Sequence, residues 1–157
     1  MTDFIEKSFF AKTHAFVMVF EKVMSKVFEK ETHISLSQFF VLAVIHHIPQ
    51  TSQKQISEIR NLTEAAISRQ VELLEKGGFI TRIKKVGNKR EHVLALTEKG
   101  EQEYTHDMNL VDKHVGDTFS FLTKKEEALL SKIFNTALWR VMEKGTHEGL
   151  TCPFKKE

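Results

Sequence analysis

The residues whose types and spacing could do chemistry gather in one stretch, residues 62–100, LTEAAISRQVELLEKGGFITRIKKVGNKREHVLALTEKG. That chemistry is the recognition of a polyanion. Between Arg82 and Arg90 stand five basic residues, Arg82, Lys84, Lys85, Lys89 and Arg90, and no acid. Immediately upstream, residues 63–76 fit a helical wheel on which Ile67, Val71 and Leu74 cluster within roughly 60°. Ala65, Ala66, Ser68, Arg69 and Glu72 fall on the outer arc. Small residues there let a backbone approach base edges. Alanine methyls can meet thymine methyls, Ser68 can donate or accept, and Arg69 can take a guanine edge or a phosphate. Thr63, at the start of the helix, places a hydroxyl and free amides where a phosphate oxygen binds. On a strand Arg82 and Lys84 share one face. Lys89 and Arg90, with Asn88, lie at or beyond a hairpin tip, where an arginine can enter a narrow, electronegative minor groove. An ordinary exposed helix would show the same wheel, and a solvated basic hairpin the same charge run. The two in direct succession are the specific signal.

The elements that position these groups follow from periodicity and caps. Residues 4–29 read as a long helix with apolar positions Phe9, Phe16, Phe20, Val23 and Val27. A second apolar edge carries Phe10, Val17, Met18, Val19, Met24 and Phe28. A helix this apolar needs two sets of neighbours, core on one side and a partner subunit on the other. Ser35-x-x-Gln38 and Ser52-x-x-Gln55 are capping boxes for two further helices, the first ending near His46 before Pro49. Asn61-Leu62 makes a turn, Thr63 begins a fourth helix, and Gly77-Gly78 ends it. Phe79–Lys85 and Arg90–Leu96 are strands joined by Val86-Gly87-Asn88-Lys89. Thr97 caps a helix to about Ser120, and Thr123-x-x-Glu126 opens the last one, with Leu129, Leu130, Ile133, Phe134, Ala137, Leu138, Val141 and Met142 as its stripe. The predicted fold is mainly α with a small β-hairpin wing: a winged helix-turn-helix flanked by N- and C-terminal dimerisation helices. It forms one domain over 1–157, with 35–100 as the DNA-binding lobe and 1–34 and 101–157 as the dimerisation helices. A twofold dimer would bury the apolar surplus of the outer helices.

Composition agrees with this layout. The chain has 157 residues, 41% hydrophobic and 28% charged, with net charge +2. Residues 52–100 hold 10 basic and 6 acidic groups, whereas 101–157 hold 8 basic and 10 acidic. Positive charge therefore concentrates where the helix and hairpin lie, the footprint of a phosphate-binding module. A lone cysteine, Cys152, excludes an internal disulfide framework and fits a cytoplasmic location. The N-terminal residues lack the pattern of a secretory signal. The apolar runs AFVMVF and FFVLAVI are too short to span a bilayer. No phosphate-binding glycine loop, HExxH, paired catalytic carboxylates or nucleophile elbow is present, so an enzyme is not expected.

Residues from about 35 to 142 resemble the MarR family of winged-helix transcriptional regulators. The matching pieces are SLSQFFVLAVI, LTEAAISRQVELLEKGGFI, NKREHVLALTEKG and LTKKEEALL. The resemblance implies a homodimer with paired terminal helices, two lobes on a pseudo-palindromic DNA operator, and control by a small ligand, metal or oxidant. The family's wing usually carries Asp-x-Arg; here Asn88 stands in the aspartate position and Arg90 in that of the arginine. Asn88 cannot form the ion pair, though its side-chain oxygen can accept a hydrogen bond. The family's effector pocket lies between the dimer arms and the DNA lobe, which in this chain implicates Phe16, Phe20, Phe39, Phe40 and His47.

Three sensors are conceivable. Cys152 sits in a Thr-Cys-Pro-Phe tail with no resolving cysteine, so a redox role has little support. His46-His47, Glu103-x-x-His106 and His114 could suggest a metal, but no HxxxH pair occurs, and satisfied or solvated histidines are the default. The phenylalanines, thirteen in all, serve core packing first. They also favour an aromatic or acyl effector. The expected function is therefore a sequence-specific transcriptional regulator, a homodimeric repressor released by a small effector, without catalytic cofactor or bound metal. The alternatives are a low-specificity architectural DNA-binding dimer, a metal-responsive regulator, or a winged helix kept for protein contacts.

Overall fold

The computed structural model describes residues 8–85 and 88–143. Among these described residues, six helices and one hairpin follow in the order α1 (Phe9–Glu31), α2 (Leu36–His47), α3 (Gln53–Arg60), α4 (Glu64–Lys76), β1 (Ile80–Lys85), β2 (Asn88–Leu96), α5 (Glu98–Thr118) and α6 (Lys124–Glu143). The expected residues 4–7 of the first helix and Val86-Gly87 of the hairpin turn lie outside the described residues.

Local chemistry sets most of these boundaries. Ser35 and Ser52 each accept from the backbone N–H three residues on, while Gln38 and Gln55 reach back to the cap N–H. Both capping boxes are closed. Thr63 caps α4 by accepting from the Ala66 N–H at 3.2 Å, and Thr97 caps α5 by accepting from the Gly100 N–H at 3.1 Å. Thr123 and Glu126 form the box that opens α6. Asn61 takes φ 50°, ψ 45° to end α3, and Gly78 takes φ 76° after α4, both left-handed positions.

The core is built mainly by the lobe over 35–100. Leu42, Ile56, Ile67, Val71 and Leu74 are fully buried, joined by Phe39, Phe79, Ile80 and Leu94. The antiparallel hairpin pairs Ile80 with Leu96 and Arg82 with Leu94, and its register shifts between Lys84 and Lys85. The Leu94 N–H also donates to the Thr51 carbonyl at 2.8 Å, fastening β2 to the loop before α3. Gly100 meets the hairpin root so closely that a Cβ there would collide with the Phe79 carbonyl. Lys99 Nζ donates to the Gly77 carbonyl at 2.7 Å and lies 4.2 Å from the Phe79 ring centroid. The first turn of α5 thus clamps the turn that ends α4.

The outer helices are different. On α1 the core side is the edge with Met24 and Phe28, which packs at 5.3 Å centroid distance against Phe39. Phe9, Phe10, Val17, Met18, Val19 and Val23 are exposed. On α6, Leu129, Ile133, Phe134, Leu138 and Val141 are exposed, and none of its described side chains is buried.

Candidate nucleic-acid interface

The helix-turn-helix pair is α3 and α4, joined by the left-handed Asn61. Burial of Ile67, Val71 and Leu74 fixes the rotation of α4, because three side chains one turn apart anchor one face. The opposite face follows geometrically: Thr63, Ala65, Ala66, Arg69 and Glu72 are exposed and Ser68 is half-buried. The expected outer arc is the observed one. Ser68 Oγ donates to Glu72 Oε1 at 3.2 Å, so this hydroxyl has an internal partner before any base edge arrives. Arg69 makes no ion pair among the described residues, which leaves its fork open.

On the hairpin, Lys84 is exposed and likewise unpaired among the described residues. Arg82 is engaged: its Nε donates to Glu75 Oε2 at 3.1 Å and its Nη1 to Gln53 Oε1 at 2.8 Å. Sequence reasoning missed these two partners, because nothing in the local pattern links positions 53, 75 and 82. The side chains of Lys85, Asn88, Lys89 and Arg90 lie outside the described residues, as does Cys152.

Away from this face, a cleft of about 350 Å3 opens between α1 and the lobe. Phe16 and Phe20, stacked at 5.6 Å, form one wall, and Phe39 and Phe40, tilted at 5.8 Å, form another. Val17, Met24, Leu36 and Val111 complete the apolar lining. His47 does not line it. Its Nε2 shares a 2.9 Å hydrogen bond with the Tyr104 hydroxyl, which draws the ring toward α5. Two charged residues that sequence reading did not select, Glu21 and Arg60, line the cleft instead. The Arg60 guanidinium carbon lies 4.1 Å from the Phe40 ring centroid, and Nε is buried without a hydrogen-bond partner among the described residues. Burial lowers the Arg60 pKa from its ordinary value, and the Glu21 carboxylate opposes that shift.

Carboxylates of α5 meet histidines of the lobe, of the loop before α2 and of α5 itself. His46 Nδ1 meets Glu101 Oε2 at 2.8 Å, His33 Nδ1 meets Glu103 Oε2 at 3.0 Å, and His106 Nδ1 meets Asp107 Oδ1 at 3.1 Å. Asp107 is fully buried, and burial pushes its pKa up to about 6, helped by the Glu103 carboxylate and opposed by the bond to His106. Among the described residues, no group of three or more metal-ligating side chains is placed to hold an ion.

The arrangement of helices and hairpin is shared with known proteins. The MarR family profile matches residues 34–92. The uncharacterized HTH-type transcriptional regulator YdcH of Bacillus subtilis (strain 168) is 34% identical over 102 residues, covering 62% of this chain and 67% of the relative. The uncharacterized HTH-type transcriptional regulator YdgJ of the same organism is 26% identical over 109 residues, 69% of this chain and 66% of the relative. The chain thus spans about two thirds of the length of either relative. Among solved structures, Staphylococcus aureus MarR in complex with salicylate and kanamycin superposes with TM-score 0.76 at 18% identity, covering 92% of this chain and 97% of that one. The S. aureus MepR–DNA complex gives 0.70 at 16% identity, covering 87% and 98%. With the family profile lying on the helix-turn-helix and hairpin themselves, and a relative one third identical over two thirds of its own length, this chain belongs to the MarR family of transcriptional regulators.

Proposed function

We propose that this protein is a homodimeric, sequence-specific DNA-binding repressor that a small amphipathic effector releases from its operator. The observation that carries the DNA reading is the α4 face. Ala65, Ala66, Ser68 and Arg69 are held outward by the buried Ile67, Val71 and Leu74, directly ahead of a basic hairpin. Thr63 supplies the helix N-terminus for a phosphate, and Lys84, Lys85, Lys89 and Arg90, with Asn88 beside them, supply the wing. A solved relative of the same fold is a DNA complex, which supports the docking mode. The exposed apolar stripes of α1 and α6 support a second copy of the chain as partner, because a helix with none of its described side chains fully buried gains little from folding alone.

The effector reading rests on the cleft. Apolar aromatic walls with one half-buried, incompletely satisfied guanidinium suit an aromatic or acyl compound with an anionic head. A solved relative was captured with salicylate, which supports this class. Because the cleft touches both α1 and α3, a ligand there would bias how the lobe sits on the dimer arm.

Selection from a random duplex pool at physiological salt tests the reading. An inverted repeat with half-sites about 10–10.5 base pairs apart is expected. Retention of duplex without enrichment would favour the architectural alternative, and no retention with or without hydrophobic anions would overturn DNA binding. On the selected site, Arg69→Ala is expected to cost about 1–3 kcal/mol and to relax preference at one position per half-site, read by titration against single-base variants.

A further inference from the structure

Arg82 stands where three elements meet. It lies on β1, Glu75 in the last turn of α4, and Gln53 is the first residue of α3. Its Nε bond to Glu75 and its Nη1 bond to Gln53 use two directions of one rigid fork. The rung of the hairpin on which it sits is held from its other strand as well. Arg82 pairs with Leu94, whose N–H donates to the Thr51 carbonyl at 2.8 Å. Leu94 is buried at this rung; one residue further along β1, Ile83 is 43% exposed, and after Lys84 the register shifts. Opposite Ile83, Val93 is still buried, so the hairpin leaves the body of the lobe just beyond the Arg82–Leu94 rung. The angle it takes there is set by backbone on one side and by the Arg82 side chain on the other.

The charge of the partner is informative. A carboxylate on the DNA-facing lobe opposes phosphate binding, so Glu75 alone would weaken affinity. Its position makes sense if it holds something in place. We propose that Arg82 is a positioning residue, not a phosphate reader: with Glu75 and Gln53 it locks the wing root to both helices of the helix-turn-helix. This inference rests on the DNA-binding reading above. The lock keeps α4 and the wing in one geometry, so that Arg69 and Lys84 engage the same duplex together without reorganisation. The pair is partly exposed, with side-chain exposures of 33% and 39%, so its contribution to folding is small and its effect falls on geometry. A lysine at 82 would restore the charge but not the two-directional fork.

Affinity for the selected duplex, measured across salt concentrations, separates positioning from phosphate contact. Arg82→Ala is expected to lose about tenfold in affinity, with little change in the slope of log affinity against log salt. Lys84→Ala, a contact variant, is expected to flatten that slope by about 0.9. Glu75→Gln is expected to weaken binding although it removes a negative charge, Arg82→Lys to rescue poorly, and the reversed pair Arg82→Glu with Glu75→Arg to recover most of the loss. Hydrogen exchange of the free protein supplies a readout independent of DNA: hairpin amides at 80–84 and 92–96 should exchange faster in Arg82→Ala and Glu75→Gln. A slope reduced by about one in Arg82→Ala, with tighter binding by Glu75→Gln, would identify Arg82 as a phosphate reader and overturn the proposal. If the unmodified protein bound no duplex, the DNA reading would fail by itself. Exchange would still decide the lock, and unchanged protection in both variants would overturn it.

Discussion

In the lobe, Leu42 of α2, Ile56 of α3 and Ile67, Val71 and Leu74 of α4 all reach zero exposure, whereas α6 buries none of its described side chains and α1 buries only Ala11, Met24 and Phe28. Both regions are rich in apolar residues; what differs is whether a neighbour is present in the same chain. Three short helices and a hairpin can close around one another, and their caps and turns aim each apolar face at a common centre. The long outer helices have faces that none of the described residues covers. The lobe is therefore the part whose stability should be intrinsic, and the arms the part whose stability should depend on association.

The largest break in that contrast would come from charging the arm. For the proposed homodimer, Phe134→Asp with Leu138→Asp, both exposed on the single chain, should raise the dissociation constant by at least about a hundredfold and abolish operator binding, while the lobe stays folded. Sedimentation together with circular dichroism would check this; an intact dimer would place the interface elsewhere. Next in size, Ile67→Ala should cost about 2–4 kcal/mol at every protein concentration, because it opens a cavity in a core that one chain completes. Leu129→Ala, by contrast, should shift the melting temperature by an amount that grows with protein concentration, as expected when stability is linked to association. Equal concentration dependence for the two variants would remove the distinction between lobe and arm.

A smaller effect sharpens the boundary between the regions, where α5 joins them. Asp107 carries a folded-state pKa of about 6 against an ordinary 3.8. The folded state therefore holds this proton more tightly than the unfolded chain does, and stability falls as pH rises from about 4 through about 6. Asp107→Asn should remove most of that penalty, stabilising the protein by about 1–3 kcal/mol at pH 7.5 and progressively less toward pH 5. His106, Glu103 and His33 surround the same group. Thermal melts of both proteins across this range would show the gap closing on acidification; a constant gap would exclude Asp107 as its source.

The amino-acid sequence determined whatever depends on neighbours a few positions away. Ser35, Ser52, Thr63, Thr97 and Thr123 announce helix starts because a cap needs only the amide two or three residues ahead. Ile67, Val71 and Leu74 declare the inner face of α4, and with it the outward face of Ala65, Ala66 and Arg69, because helical period is a local property. The basic hairpin follows from one contiguous stretch, and the family resemblance from four short pieces between residues 35 and 142. The tertiary structure decided what depends on distance along the chain. It selected Met24 and Phe28 as the buried edge of α1, although Phe9, Phe16 and Phe20 read equally well, because only the packing of α2 picks one stripe of an over-apolar helix. It brought Arg60 and Glu21 into the cleft and turned His47 away to Tyr104. It closed Gly100 against the Phe79 carbonyl and gave Arg82 to Glu75 and Gln53. Period and caps are written residue by residue, whereas the partner of a long polar side chain is fixed only when separate elements meet.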